Sequence, residues 1–223
     1  NKKKAYLTLS FAPGECAQVD WGSYGSVAVG DKATRRLSLF VMVLCYSRML
    51  YVEFTTLQTM EHFLGCHQRA FDYFGGVPNR VMVDNLKSAV LANYIGKDPV
   101  LNPKYADFAA HYGFEVSACN VRSPQEKGRV ENAVGYVKKN LLAGLTIPCF
   151  DALGSMARRW MEDVANRRIH GVTKKIPIEE LAVERPFLVS LPIHPYDIAT
   201  VREVRPSSQF RVVVDANTYS VPS

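Results

Sequence analysis

An α/β fold, a mixed sheet of five strands flanked by helices, is what this sequence predicts, and three observations predict it. The chain opens with three successive runs rich in β-branched and aromatic residues. From Thr59 onward, segments with apolar residues at helical spacing alternate with short apolar runs. The 223 residues are 48% hydrophobic and 22% charged, the make-up of a soluble globular chain with enough length for one good core.

A basic start and an extended piece at Tyr6–Leu9 precede the turn at Pro13-Gly14. Cys16–Gly22 reads as the first strand, ended by the turn signals Gly22, Gly25 and Gly30-Asp31, and it carries Asp20 where a buried strand would stay apolar. Leu37–Tyr46 reads as a central strand and Met49–Phe54 as its hairpin partner, so the opening is an antiparallel meander. Thr59–Phe74 is helical, with Phe63, Cys66, Ala70 and Phe74 on one stripe and Gly75-Gly76-Val77-Pro78 as its stop. Arg80–Asn85 follows a helix and reads as a buried parallel strand ending on Asp84. A helix over Pro103–Tyr112, a strand over Phe114–Ala118 and helices at about 124–142 and 151–169 complete a β-β-β-α-β-α-β-α-α order, which is a mixed α/β sheet.

Composition bounds the function. The net charge of +6 suits a polyanionic partner without requiring one. The basic clusters Lys2–Lys4, Arg158-Arg159, Arg167-Arg168 and Lys174-Lys175 have the ordinary reading of solvated faces. The five cysteines form no C-x-x-C pair and no zinc spacing with histidine, which points to reduced, buried thiols and a cytosolic setting. The longest apolar run, Leu37–Tyr46, is too short to span a bilayer. No phosphate-loop motif for ATP is present. A start at Asn1 and an end inside a strand-like pattern at Ser223 read as a fragment of a longer chain.

The helix near residue 130 organises the rest. Ser123 suits its cap and Pro124 its first turn. Val130, Val134, Val137 and Leu141 form its core stripe, with Glu131, Gly135, Lys138 and Leu142 on the adjacent stripe. Gly128 and Gly135 leave room for something to approach. Taken alone, Glu131 reads as a solvated acid. Asp20 and Asp84, each at a strand end, read equally well as turn or cap residues. Together the three acids suggest more, because sites in open α/β sheets gather at the carboxyl ends of strands. Crowded carboxylates repel unless cations neutralise them. A donor set of carboxylates without thiol or imidazole selects Mg²⁺ or Mn²⁺. The assignment would have Asp20 bridging two ions, with Asp84 on one and Glu131 on the other. Asp31, Asp98, Asp107, Glu115 and Glu126 compete for the third place.

Gln18-Val19-Asp20-Trp21-Gly22, then Val83-Asp84-Asn85, then Ser123-Pro124-Gln125-x-x-Gly128-x-Val130-Glu131 resembles the DDE catalytic core of retroviral integrases and related transposases. Phe74–Pro78, Asp84–Lys87 and Asn132–Lys138 look like the IstA-type insertion-sequence transposases (the insertion sequence twenty-one family). The resemblance covers residues 14–180 and less securely the hairpin beyond 207. It implies an RNase H-like, integrase-like fold with Asp20, Asp84 and Glu131 as the metal triad for two Mg²⁺ ions, which Mn²⁺ could replace. It also implies Mg-dependent cleavage at transposon ends, 3′-hydroxyl strand transfer into target DNA, a homo-oligomer on paired ends, a helix-turn-helix unit preceding this chain and an AAA+ helper ATPase. Lys87, Arg122, Lys127, Arg129, Lys138 and Lys139 are the candidate phosphate contacts. Two departures stand out. The gap from Asp84 to Glu131 is longer than in retroviral integrases, with the extra residues around Val90–Lys104. Gly135 stands where integrases commonly carry lysine, while Lys138 keeps the next basic position.

The predicted organisation is an N-terminal extension over 1–13, the catalytic core over 14–183, a proline-punctuated linker over 184–206, and at 207–223 the start of a small β-barrel domain. Residues 120–128 are expected to be mobile without DNA. A hydrolytic RNase H-like nuclease or resolvase, and a non-catalytic DNA-binding scaffold, are the alternative functions. The expected location is the bacterial cytoplasm, with association to the nucleoid when bound to DNA.

Overall fold

The structure is a computed structural model, and it describes residues 10–29, 33–83, 89–92, 99–118, 124–143, 150–199, 204–205, 207–214 and 217–220. Strands β1 (Cys16–Val29), β2 (Ala33–Leu44) and β3 (Leu50–Thr55) form the antiparallel meander. Helix α1 (Met60–Phe74) leads to β4 (Arg80–Val83). A short antiparallel pair, β5 (Val90–Ala92) and β6 (Val100–Leu101), precedes helix α2 (Pro103–Tyr112) and strand β7 (Glu115–Ala118). The main sheet runs β3-β2-β1-β4-β7, with β1, β4 and β7 mutually parallel. This is the expected mixed five-stranded sheet. The residues in excess of the integrase spacing fold in part as the β5–β6 hairpin.

Two elements differ from the expected ones. β1 does not stop at Gly22. It continues through Gly22 and Gly25 to Val29, because β2 pairs with it along the whole length, and the irregularity is absorbed as a register shift between Ser23 and Gly25. The helix over residues 124–142 divides into α3 (Pro124–Tyr136) and a π-helical turn over Val137–Leu141. The next helix, α4 (Phe150–Trp160), ends in the same way over Met161–Ala165.

The core lies between the sheet and its helices. Phe63, Cys66, Ala70 and Phe74 are all fully buried, as their spacing requires. Thr59 caps α1 by accepting the His62 N–H, and Gly75 closes it in the left-handed conformation at φ 78°, its N–H reaching the Phe71 carbonyl. Cys16, Cys45 and Cys66 are free and buried; Cys119 and Cys149 lie outside the described residues, as does the Tyr6–Leu9 piece. Among the described residues no helix is long and apolar enough to cross a membrane.

Helix α5 (Pro177–Glu184), a 3-10 turn at Arg185–Phe187 and the chain to 199 lie against the core. Asn166 accepts the Leu50 N–H and donates to the Leu50 carbonyl, both at 2.9 Å, which ties the end of α4's extension to the edge of β3. Glu184, wholly buried, accepts N–H groups from Gly14 and Ser47 at 3.1 and 3.0 Å. Gly14 has φ 72° and lies so close to the Phe187 carbonyl that no side chain fits there. Beyond them, β8 (Arg211–Val214) and β9 (Asn217–Ser220) form the hairpin read from the sequence; among the described residues it stays a two-stranded pair, with no closed barrel.

Candidate active site

The candidate site lies on β1 where its parallel pairing with β4 ends; this is not the end of the strand as expected, because pairing with β2 carries β1 past Asp20 to Val29. β1 pairs with β4 in parallel from Cys16↔Arg80 to Val19↔Val83. Asp20 is the residue of β1 after the last pair, and it is partly buried. Asp84 follows Val83 in the chain and itself lies outside the described residues. The two strands expected to be neighbours are neighbours, at a switch point of strand order.

The pleat sorts β1 into two faces. Trp21 stacks on Phe63 of α1 with ring centroids 5.3 Å apart, so Val19 and Trp21 face α1. Gln18, on the face it shares with Asp20, accepts the Val130 N–H of α3 at 3.0 Å. The face bearing Asp20 is therefore the one that α3 covers. Val130 is buried, and Glu131, next to it, is exposed.

α3 is anchored along its length. Val130, Val137 and Leu141 are buried and Val134 packs partly against the core, as the stripe predicts. At the far end, Trp160 donates its indole N–H to Asn140 at 2.7 Å, its ring lies 5.3 Å from Tyr136, and the Arg168 guanidinium covers Tyr136 at 3.9 Å. The π-helical turn buries Val137, Leu141 and Leu142 and leaves Lys138 and Lys139 exposed. A Cβ added at Gly128 or Gly135 would meet nothing within 4 Å. The open space read into those glycines is present.

The other candidate residues divide. Arg129 is partly buried, its guanidinium 4.2 Å above the Phe11 ring. A hydrogen bond from Cys16 is the main cause that holds the Cys45 thiol below its ordinary range, and the nearby charges of Arg129 and Arg48 add to it. Lys87 and Arg122 lie outside the described residues, as does the side chain of Lys127. Of the competing acids, Asp107 accepts from the Tyr196 hydroxyl at 2.7 Å and Glu115 faces Arg80 at 3.4 Å, so both are engaged elsewhere. Asp31, Asp98 and the side chain of Glu126 lie outside the described residues, and so do Ser123 and the rest of 119–123, whereas 124–128 is helical.

Among the described residues no group of three metal-ligating side chains is gathered. The two described members of the triad, Asp20 and Glu131, are both carboxylates, a donor chemistry that fits Mg²⁺. In the sequence Gln18 stands out only as part of the Gln-Val-Asp-Trp-Gly motif. The available signal was a polar residue two places before Asp20 in an otherwise apolar strand, where burial demands a hydrogen-bond partner.

A family profile described as Integrase core domain matches residues 11–124, just over half the chain; the match includes Asp20 and Asp84 and stops before Glu131. A protein of insertion sequence element IS5376 from Geobacillus stearothermophilus is 38% identical over 196 residues, which is 88% of this chain and 48% of that one. The transposase for insertion sequence element IS21 of Pseudomonas aeruginosa is 34% identical over 206 residues, 92% of this chain and 52% of its own. The chain spans about half the length of these curated relatives. Among solved structures, a simian T-cell lymphotropic virus intasome superposes with TM-score 0.60 at 13% identity, covering 97% of this chain and 78% of that one. The HTLV-2 integrase catalytic core domain in complex with magnesium gives 0.51 at 18% identity, covering 75% and 95%. Both show an integrase-type, RNase H-like fold.

Proposed function

The chain belongs to the integrase core domain family, and on that premise we propose that it is the catalytic core of an insertion-sequence DNA transposase of the IS21 kind. It would cleave strands at the ends of the element and transfer the freed 3′-hydroxyl to target DNA. The parallel pairing of β1 with β4 carries the reading: the register ends at Val19 and Val83, and an aspartate follows each in the chain. The packing of α3 on the Asp20 face of β1 supports Glu131 as the third acid.

In this reading Asp20, Asp84 and Glu131 would hold two Mg²⁺ ions. Such ions, when bound, activate the attacking oxygen and stabilise the leaving one in an in-line displacement. The chain's own residues orient the site and carry the DNA. Lys138 and Lys139, exposed on the π-helical turn, would take phosphate, with Lys87, Arg122, Lys127 and Arg129 as further contacts. No covalent enzyme intermediate is needed, because the free 3′-hydroxyl is itself the nucleophile. The relatives support insertion-sequence DNA as substrate, and the intasome likeness supports assembly of several copies on paired ends. A helper ATPase and a location with the bacterial nucleoid belong to the same proposal.

The test is strand transfer with pre-cleaved element ends, a target duplex and Mg²⁺. Joined product is expected, and Asp84→Asn should abolish it while leaving DNA binding. Nicked DNA without joining would indicate a nuclease. Mg²⁺-independent binding with no reaction would indicate a scaffold. Unchanged joining by D84N would remove Asp84 from the site.

A further inference from the structure

Gln18 is 1% exposed, yet it carries a primary amide into the interior of β1. Its oxygen accepts the backbone N–H of Val130 at 3.0 Å, and its nitrogen lies 3.9 Å from the Met82 sulfur on β4. One side chain thus touches the strand that leads to Asp84, the helix that carries Glu131 and, as part of β1, the strand that carries Asp20. Along β1 it precedes Asp20 by two residues on the same face, a rise of about 7 Å. On α3 its partner is the residue immediately before Glu131.

We propose that Gln18 is a positioning residue that fixes the rotation and register of α3 on β1 and so aims Glu131 at the metals beside Asp20; the inference rests on the metal-site reading above. Apolar packing by Val130 and Val137 holds α3 to the sheet, but it is non-directional and leaves the helix free to rotate by small angles. A hydrogen bond of defined geometry removes that freedom. The amide suits the place because a neutral group adds no charge beside a carboxylate cluster, and because its oxygen can accept an N–H that an apolar side chain could not. Partners hydrogen-bonded directly to metal ligands are commonly worth roughly 10–100-fold in metal affinity, and Gln18, acting through the backbone beside Glu131, is placed at the lower end of that range.

The experiment measures Mn²⁺ binding to the DNA-free protein by electron paramagnetic resonance, with metal-free thermal unfolding of each variant as the folding control. Wild type, Gln18→Met, Glu131→Gln and the double variant form a cycle. Gln18→Met keeps the volume and removes the acceptor. Gln18→Asn, which keeps the amide but draws its oxygen back by one methylene, is read in the same way should Q18M fail to fold. The expected result is about tenfold weaker Mn²⁺ binding by Q18M or Q18N with a cooperative unfolding transition retained, and no further weakening when the substitution is added to E131Q. Two results overturn the proposal while leaving the metal reading intact: wild-type Mn²⁺ affinity in both Gln18 variants, or a loss that persists in full on top of E131Q. An E131Q protein that binds Mn²⁺ like wild type would overturn the metal role of Glu131, and this inference with it.

Discussion

His67 is a wholly buried histidine set among Phe40, Phe63, Phe71, Tyr105 and Phe108. Its Nδ1–H donates to the Phe63 carbonyl at 2.8 Å, and its Nε2 accepts from the Tyr105 hydroxyl at 3.2 Å, so the neutral ring is satisfied on both sides. Burial pulls its pKa from the ordinary 6.5 down to about 4. A depressed folded-state value means that stability is complete above 6.5 and is lost as pH falls toward 4. The loss is about 3 kcal/mol. Chemical denaturation of wild type between pH 7 and 4 should show that slope, and His67→Gln should lack it. Gly135 gives a second residue-scale prediction. The space beside it is open, and glycine is a poor helix former, so Gly135→Lys should fit and lend α3 some stability. On the functional proposal it should also steepen the log–log salt dependence of DNA binding by roughly one, the signature of one added phosphate contact. Fluorescence anisotropy at several salt concentrations measures it.

At the scale of elements, the strands and helices were legible where period and punctuation agreed. The α1 stripe with its glycine stop is the clearest case, and the parallel placement of β4 beside β1 followed from a strand that succeeds a helix. The length of β1 was not legible, because Gly22 and Gly25 signal turns locally while the pairing with β2 overrides them. The π-helical end of α3 left no mark in the sequence either. Its neighbours, Trp160 of α4 and Arg168, lie outside any local window. Asp20 was legible as an acid in an otherwise apolar strand, although β1 runs on past it and does not end there, and Glu131 through its place on a core-facing helix, whereas Gln18 needed the packed α3 to reveal its partner. Asn166 was equally hidden, since its partners lie on a strand more than a hundred residues away. Removing it leaves the Leu50 N–H and carbonyl and the Tyr73 hydroxyl without it. Asn166→Ala should therefore cost about 3 kcal/mol, read as a lower midpoint in urea with an unchanged m-value.

Across the whole molecule, the described chain from Met161 to Ile198 packs residues against the core, among them Ala165, Leu181, Val189 and Tyr196. Burial pushes the Glu184 carboxyl upward from its usual range, partly offset by the Ser47 side chain, the N–H groups of Gly14 and Ser47 and the charge of Arg48. The segment expected as a linker lies along α1 and α2 as far as residue 199. Gln68 donates to the Tyr196 carbonyl, the Tyr196 hydroxyl to Asp107, and Lys104 to the Ile198 carbonyl. Its prolines signalled irregular backbone, and irregular it is, but the side chains that hold it come from helices far back in the sequence. The sheet sets β1 beside β4, and α3 lies on the Asp20 face of β1, the arrangement on which the proposed site of three separated acids rests. The direct measurement is a crystal structure of the protein soaked in Mn²⁺, read by anomalous difference density. Two manganese peaks roughly 3.5–4 Å apart are expected, with Asp20 shared between them, Asp84 beside one and Glu131 beside the other. Saturating Mn²⁺ with no peak at these carboxylates, or peaks coordinated without Glu131, would contradict this arrangement.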